Sequence, residues 1–404
     1  MKSLRENPEP HPAVPLITTT SEEEEPRAED FEPQPLAPAR WDWTSVRRVL
    51  VVRLRSIGDT VLATPALYAL RRFVPRARID VLLESWVAPV LDGFRDADNI
   101  ITIERGSGTV ARALIARELR AARYDVAFNL HGGTTATLLT RATGATHRVG
   151  YADYQYGRMH NHTAPSPIEL WGKVSLHSVE QQLALLGWTG VPVSDRPRTR
   201  LAVTAAAAAS TEAKLRAAGV DASVPFALIH PAAAFETKRW DVRNFARVAE
   251  YLRERGINSV AVAASNEAEL VTDLVRESSA PVSALTDLSL PEVTALASRA
   301  RLFVGNDSGI AHIAAAVSTP LVVIFGSSNI NHWRPWANAP AEVVREELPC
   351  QPCPGYTCAE FDQPECIRRV PVERVTAAIE RVLRESNQQS VVSSQVFSTD
   401  QAAL

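Results

Sequence analysis

The amino-acid sequence predicts an α/β protein made of two doubly wound parallel-sheet units facing each other across a cleft. Three observations predict it. Val49 to Leu54 (Val-Leu-Val-Val-Arg-Leu) is an apolar strand of the type buried on both faces, and it runs through the polar turn Arg55-Ser56-Ile57-Gly58-Asp59-Thr60 into a helix over Val61 to Phe73. Leu302 to Val304 is a second such strand, turning at Asn306-Asp307-Ser308-Gly309 into an Ala-rich helix over Ile310 to Val317. Between and after these two openings, strand-like and helix-like segments alternate, which is the pattern of a parallel sheet with helices on both faces.

The elements follow in order. After the first strand and helix, Ile79 to Glu84 and Ile100 to Ile103 read as strands, Val110 to Arg123 as an amphipathic helix, and Tyr124 to Leu130 as a strand running into His131-Gly132-Gly133-Thr134-Thr135. Tyr151 to Pro167 has no clean period, a helix resumes over Val174 to Leu186, and Asp195 to Arg200, with Pro197, reads as an exposed linker. The pattern then restarts: helix over Ala205 to Ala218, strand over Phe226 to Pro231, helix from Trp240 to Arg255, strand over Ser259 to Ala263, helix over Glu267 to Arg276. A short helix opens at Leu290-Pro291-Glu292, with Pro in its first turn. Leu321 to Gly326 closes the series as another strand.

A chain of 404 residues with 46% hydrophobic content fits two domains plus tails. The expected divisions are an acidic, Pro-rich disordered tail over 1–44, domains over 45–196 and 197–385, and a flexible tail over 386–404. No apolar run reaches the ~18 residues that span a bilayer, and the start lacks the basic region and apolar core of a signal peptide, so a cytoplasmic protein is expected. Residues 1–44 hold four Lys/Arg against ten Asp/Glu, whereas residues 45–195 hold eighteen against thirteen. A basic first domain fits an anionic partner such as a phosphorylated glycolipid or a membrane surface. No zinc-finger, RNA-binding aromatic or basic-helix signature is present, so nucleic acid is not an expected partner.

The two turns carry the candidate chemistry. A helix opening just beyond a buried strand presents free N–H groups and a positive dipole end, which suits a phosphate at Asp307-Ser308-Gly309. Ligands of open α/β sheets bind beyond the carboxyl ends of strands, so Asp59 and Asp307 are placed to reach one shared cleft. The plainer alternative for each is a helix N-cap. Neither strand end has a complete G-x-G-x-x-G with its acidic partner, which argues against a dehydrogenase.

Ser56-Ile57-Gly58-Asp59 followed by Thr64-Pro65-Ala66-Leu67, then Lys238-Arg239-Trp240, then Asn306-Asp307-Ser308-Gly309-Ile310-Ala311-His312, resemble the ADP-heptose:lipopolysaccharide heptosyltransferases of glycosyltransferase family 9. The resemblance covers roughly residues 47–385 in order and spacing. It implies the GT-B fold, an acceptor held by the first domain, a nucleotide sugar held by the second, and inverting transfer without metal or other cofactor. Asp59 is then implied as the general base. Lys238 is implied at the diphosphate, Asp307 at the sugar or ribose side, and Ser308, Gly309, Ile310 and His312 around the phosphates. Glu267 or Glu269 is implied at the ribose, and Arg55, Ser56 and His131 on the acceptor side. The implied partners are ADP-heptose and a lipopolysaccharide-core glycolipid, with peripheral contact at the inner face of the cytoplasmic membrane. The chain departs from the family pattern at Ala232-Ala233-Ala234, where hydroxyl residues are common, and at His131, where glutamine is usual. Another nucleotide-sugar donor, an epimerase of similar architecture and a non-catalytic nucleotide-sugar or glycan-binding protein are the alternatives.

All four cysteines, Cys350, Cys353, Cys358 and Cys366, fall in one short stretch. Such spacing suits a tetrahedral zinc site, free thiols or a redox-dependent disulfide. The expectation is metal-free transfer.

Overall fold

The computed structural model describes residues 32–221, 223–353 and 355–401. The first unit runs β1 (Arg48–Val52), α1 (Ile57–Val61), α2 (Thr64–Phe73), β2 (Arg78–Glu84), β3 (Asn99–Ile103), α3 (Thr109–Ala121), β4 (Val126–Asn129), α4 (Thr134–Ala142), β5 (His147–Tyr151), β6 (His162–Ala164), α5 (Pro167–Trp171) and α6 (Ser178–Gly187). The second runs α7 (Ala205–Ala217), β7 (Phe226–His230), α8 (Val242–Glu254), β8 (Asn258–Val262), α9 (Ala268–Glu277), β9 (Val282–Leu285), α10 (Leu290–Arg299), β10 (Leu302–Asn306), α11 (Gly309–Ala316), β11 (Leu321–Phe325), α12 (Ile330–Trp333), β12 (Ala341–Arg345), α13 (Glu365–Arg368) and α14 (Val372–Gln401).

Each unit holds a six-stranded parallel sheet, ordered β3-β2-β1-β4-β5-β6 in the first and β12-β11-β10-β7-β8-β9 in the second. Read from its own first strand, each has the same doubly wound topology, and strand order reverses between β1 and β4 and between β7 and β10. The central strands are buried on both faces. Val49 and Val51 of β1 point into one core while Leu50 and Val52 point into another, and Phe303 of β10 faces away from Leu302 and Val304. One of these cores is shared: Val49 and Val51 belong to the same cluster as Phe226, Leu228 and Phe303 of the second sheet.

The single helix expected over Val61 to Phe73 is two. Pro65 lacks the N–H that a continuous helix would need, so α2 starts afresh at Thr64 with Pro65 in its first turn. The Thr64 hydroxyl donates to the Val61 carbonyl at 2.7 Å, and the Gln182 amide donates to Leu62 O at 3.2 Å.

The expected N-terminal tail and the expected linker need correction. Residues 1–31 lie outside the described residues, but Pro33 to Thr44 are packed rather than loose. Trp43 is buried and donates its indole N–H to Thr189 O at 2.8 Å, while the amide N–H groups of Leu36 and Ala37 donate to Gly187 O. The few large apolar residues of this stretch, Leu36, Trp41 and Trp43, are what dock it. At the other end α14 continues through 386–401, since no Gly or Pro interrupts the sequence from Val372 onward. The stretch Asp195 to Arg200 is not an exposed linker: Pro197 and Thr199 are buried, Thr199 N donates to Trp336 O, and the Trp336 indole donates to Pro197 O at 3.0 Å.

Candidate active site

β1 and β10 end at the two points where strand order reverses, and the helices that follow them, α1 and α11, pack against each other across the units. Only glycine permits that approach. A Cβ on Gly58 would stand 2.7 Å from Cδ2 of His312, and one on Gly309 would stand 2.9 Å from Cβ of Ile57. The two turns singled out in the sequence are therefore one site, with Asp59 on one wall and His312, Ser308 and Asp307 on the other.

Asp59 lies in the first turn of α1. One carboxylate oxygen accepts from the Arg53 guanidinium, and the other accepts from Ser56 N at 3.2 Å and the Ser56 hydroxyl at 3.0 Å. Burial acts to raise this carboxyl, but Arg53, the two Ser56 donors and the nearby His312 outweigh it and hold the group below the ordinary aspartate range. Asp59 is thus ionised, oriented, and still partly open to the cleft. Its helix-capping contacts are real and use the same oxygen that faces Ser56. Arg53 itself is anchored by a 2.6 Å hydrogen bond to Leu130 O.

Across the cleft, Asp307 accepts from Lys238 Nζ at 2.8 Å and from the Ser328 hydroxyl. Lys238 reaches it from a short 3₁₀ turn, Glu236–Lys238, which Thr237 fixes by bonding to Ser327 and to Gly355 O. Buried Asn306 spaces the loops: its amide donates to Pro231 O at 2.8 Å and its oxygen accepts from Trp240 N. Ser308 caps α11, and His312 lies buried one turn on with Nδ1 unpartnered. Burial pushes His312 down, against Asp307 and Asp59, which pull it up.

Three spaces open around this junction. A cavity of about 500 Å³ in the first unit is lined by Arg55, Glu84, Arg105, Arg112, His131 and Thr134, among others. Burial and Arg53 push His131 there down to about 4, so it is neutral near pH 7. An apolar slot of about 270 Å³ lies in the second unit, closed on one side by Ile57 of α1 and walled by Val262, Ala263, Leu288, Leu290 and Ile310, with Glu267 and Ser308 also lining it. A third space of about 340 Å³ lies between Lys238, Ser328, Trp333 and Cys353.

The structure thus brings together Asp59, Ser56, Lys238, Asp307, Ser308, Gly309, Ile310 and His312. Arg55 and His131 line the polar cavity beside them. Glu269 is exposed on α9 and does not line the slot; Glu267 does. Cys366 is buried, and burial together with the three neighbouring thiols pushes it up to about 11. Among the described residues no three His, Cys, Asp or Glu side chains are grouped to hold a metal ion. Sequence reasoning missed Arg53, Ser328, Arg105 and Arg112. Arg53 had a signal: a charge inside an otherwise apolar strand needs a partner.

A family model described as glycosyltransferase family 9 (heptosyltransferase) matches residues 112–362, more than half of the chain. The chain belongs to this family. It is a glycosyltransferase. Lipopolysaccharide heptosyltransferase 3 of Escherichia coli is 29% identical over 351 residues, covering 82% of this chain and 98% of that one. A family 9 glycosyl transferase from Veillonella parvula superposes with a TM-score of 0.74 at 21% identity, over 84% of this chain and 98% of that one. The E. coli ADP-heptose lipopolysaccharide heptosyltransferase II does so with a TM-score of 0.69 at 22% identity, over 84% and 99%. The fold is GT-B, with the doubly wound topology seen in each sheet. Among the described residues no helix is long and apolar enough to cross a membrane.

Proposed function

We propose that this glycosyltransferase moves a heptose from ADP-heptose to a lipopolysaccharide-core glycolipid with inversion, working at the inner face of the cytoplasmic membrane. The observation that carries the reading is the contact of α1 with α11, which sets an ionised Asp59 opposite a helix N-terminus flanked by Lys238. The domain over 197–385 takes the donor. The apolar slot takes the adenine, with Glu267 of its lining on the ribose hydroxyls. The diphosphate meets the free N–H groups of α11 at Ser308 to Ile310, and Lys238.

The domain over 45–196 takes the acceptor in the polar cavity beside Arg55 and His131. The acceptor hydroxyl passes its proton to the Asp59 carboxylate as its oxygen bonds to the anomeric carbon, and the bond from that carbon to the phosphate oxygen breaks on the opposite face. ADP leaves with added negative charge, and Lys238 with the α11 dipole stabilises that charge more in the transition state than in the bound donor. The ion pair of Lys238 with Asp307 holds the ammonium in position until phosphate arrives.

Incubating the purified protein with ADP-heptose and, separately, with UDP-sugars tests the donor. Consumption of ADP-heptose alone, falling by about 10²–10⁴ in Asp59→Asn with ADP binding retained, is the expected result. Consumption of a UDP-sugar in preference would sink the donor assignment, and turnover of Asp59→Asn within a few-fold of wild type would remove the base.

A further inference from the structure

α3 is apolar on two opposite faces, and only one has a partner. Leu119 is fully buried, and Ile115 and Ala116 pack beside it against the first sheet. At 100° per residue, the far side of the helix carries Val110, Leu114, Arg117 and Ala121. Val110 is 73% exposed and Leu114 62% exposed. A surface helix ordinarily turns charge to water on that side. α4 packs alongside α3 and exposes Leu138, 47% accessible, together with Arg141.

The rim of this apolar strip is basic. Arg117 lies on the strip and Arg120 and Arg141 flank it; all three are exposed, and among the described residues none has a carboxylate within ion-pair distance. Arg120 and Arg141 lie close enough to Arg148 to act on its guanidinium, so three positive groups gather at one end of the strip. Glu118 is the one carboxylate of α3. Glu–Arg compensation is therefore missing where an isolated solvated face would have it.

We propose that the outward face of α3, with Leu138 and Arg141 of α4, docks on an anionic phospholipid surface, with Val110 and Leu114 entering the headgroup boundary and the arginines pairing with lipid phosphates. Apolar side chains flanked by unpaired arginines are the composition of an interfacial helix. A second copy of the chain is disfavoured as occupant, because a two-fold contact would set this patch against another copy of itself, a surface rich in arginine with Glu118 as the one carboxylate of α3. Position also favours a membrane. Val110 and Arg112 lie at the N-terminal end of α3, the end that follows the carboxyl edge of β3, and Arg112 lines the polar cavity of the first unit. Docking there would bring that cavity to the headgroup layer. This last step rests on the acceptor reading given above, whereas the lipid contact itself does not.

The test is flotation of the full chain with vesicles of phosphatidylcholine alone and with vesicles rich in phosphatidylglycerol, with no donor or acceptor present. Binding is expected to the anionic vesicles only and to weaken as salt rises. Arg117→Glu/Arg120→Glu should lose at least about fivefold for each arginine. Val110→Ser/Leu114→Ser should lose about tenfold or more, because two apolar side chains leave the boundary. All four positions are solvent-exposed, so unchanged melting temperature and ADP affinity are expected and serve as the folding control. Equal partitioning of variants and wild type, binding to neutral vesicles alone, or no vesicle binding would each overturn the proposal. So would loss of a concentration-dependent dimer in Val110→Ser/Leu114→Ser without any vesicle binding, which would assign the face to self-association. Because no substrate enters the assay, a wrong donor or acceptor leaves its outcome unaffected.

Discussion

Gly58→Ala separates closure of the two units from their stability. A methyl at 58 would lie 2.7 Å from Cδ2 of His312, whereas carbons rest about 3.5–4.0 Å apart, so α1 and α11 must part by roughly 0.8–1.3 Å. The His312 ring cannot yield easily, because it is buried between Gly58 and its own helix. Gly58 lies inside α1 with no left-handed backbone, so alanine fits its conformation and gains up to about 1 kcal/mol of helix propensity. Within one core, overpacking of this kind costs about 1–3 kcal/mol. Here the clash is between two units, and a small opening relieves it, so the cost falls on the closed arrangement rather than on folding. A bias of ~1–3 kcal/mol depletes the closed form by about 5–150-fold, and a displacement of about 1 Å at Asp59 has a similar effect on rate. Turnover, read as release of nucleoside diphosphate, should fall by about 10²-fold, while the melting temperature and ADP affinity stay near wild type. Gly309→Ala should cut turnover alike, since its Cβ would meet Ile57 at 2.9 Å and Gly58 N at 3.2 Å, though it lies in the turn proposed to take the diphosphate and so carries no control on ADP affinity. Turnover of both variants within a few-fold of wild type would refute the argument that these glycines set the working distance.

Arg53→Met removes the cation that holds Asp59 low and leaves burial to raise it. Because the folded-state value of Asp59 is depressed, the stability of the pair is present above the ordinary aspartate range and is lost as pH falls through the depressed value. The acid limb of turnover should therefore move to higher pH by about 1–3 units; an unmoved limb would show that Arg53 does not tune the carboxylate. Lys238→Ala should weaken ADP more than adenosine in calorimetry, since it deletes a phosphate partner and leaves Asp307 to repel the diphosphate; equal losses for both ligands would contradict this. Trp43→Ala should cost about 3–5 kcal/mol in denaturant unfolding, because the indole is buried and hydrogen-bonded to Thr189. A change below about 0.5 kcal/mol, the usual range for surface sites, would return this segment to the status of a loose tail.

The central strands were legible because burial on both faces leaves an unbroken apolar run, as in Val49 to Val52 and Leu302 to Val304. Four strands toward the sheet margins were not, although the edge strand β3 was. β5 (His-Arg-Val-Gly-Tyr), β6 (His-Thr-Ala), β9 (Val-Ser-Ala-Leu) and β12 (Ala-Glu-Val-Val-Arg) are short or half exposed, and their composition does not differ from that of loops. The docking of Pro33 to Thr44 escaped for another reason. Its charge and proline content outweigh three large apolar residues in any average, yet Leu36 finds room over Gly187, Trp41 stacks on His147 and Trp43 packs on Phe73 and Phe128.

The site divides along the same line. Its proposed donor side is built from backbone: a helix N-terminus, a buried Asn306 tying two loops, and glycines compelled by close approach, all of which constrain residue type within a few positions of one strand end. Such constraints are visible in a single sequence. The proposed acceptor side, the polar cavity, uses side chains from four separate loops, with Arg55, Arg105, His131 and Gln155 brought together only by the order of the strands that precede them. Nothing local requires an arginine at 105 or a histidine at 131. Their chemistry would follow from what must be bound, so the half of the site proposed to take the acceptor is the half that topology, and not local pattern, assembles.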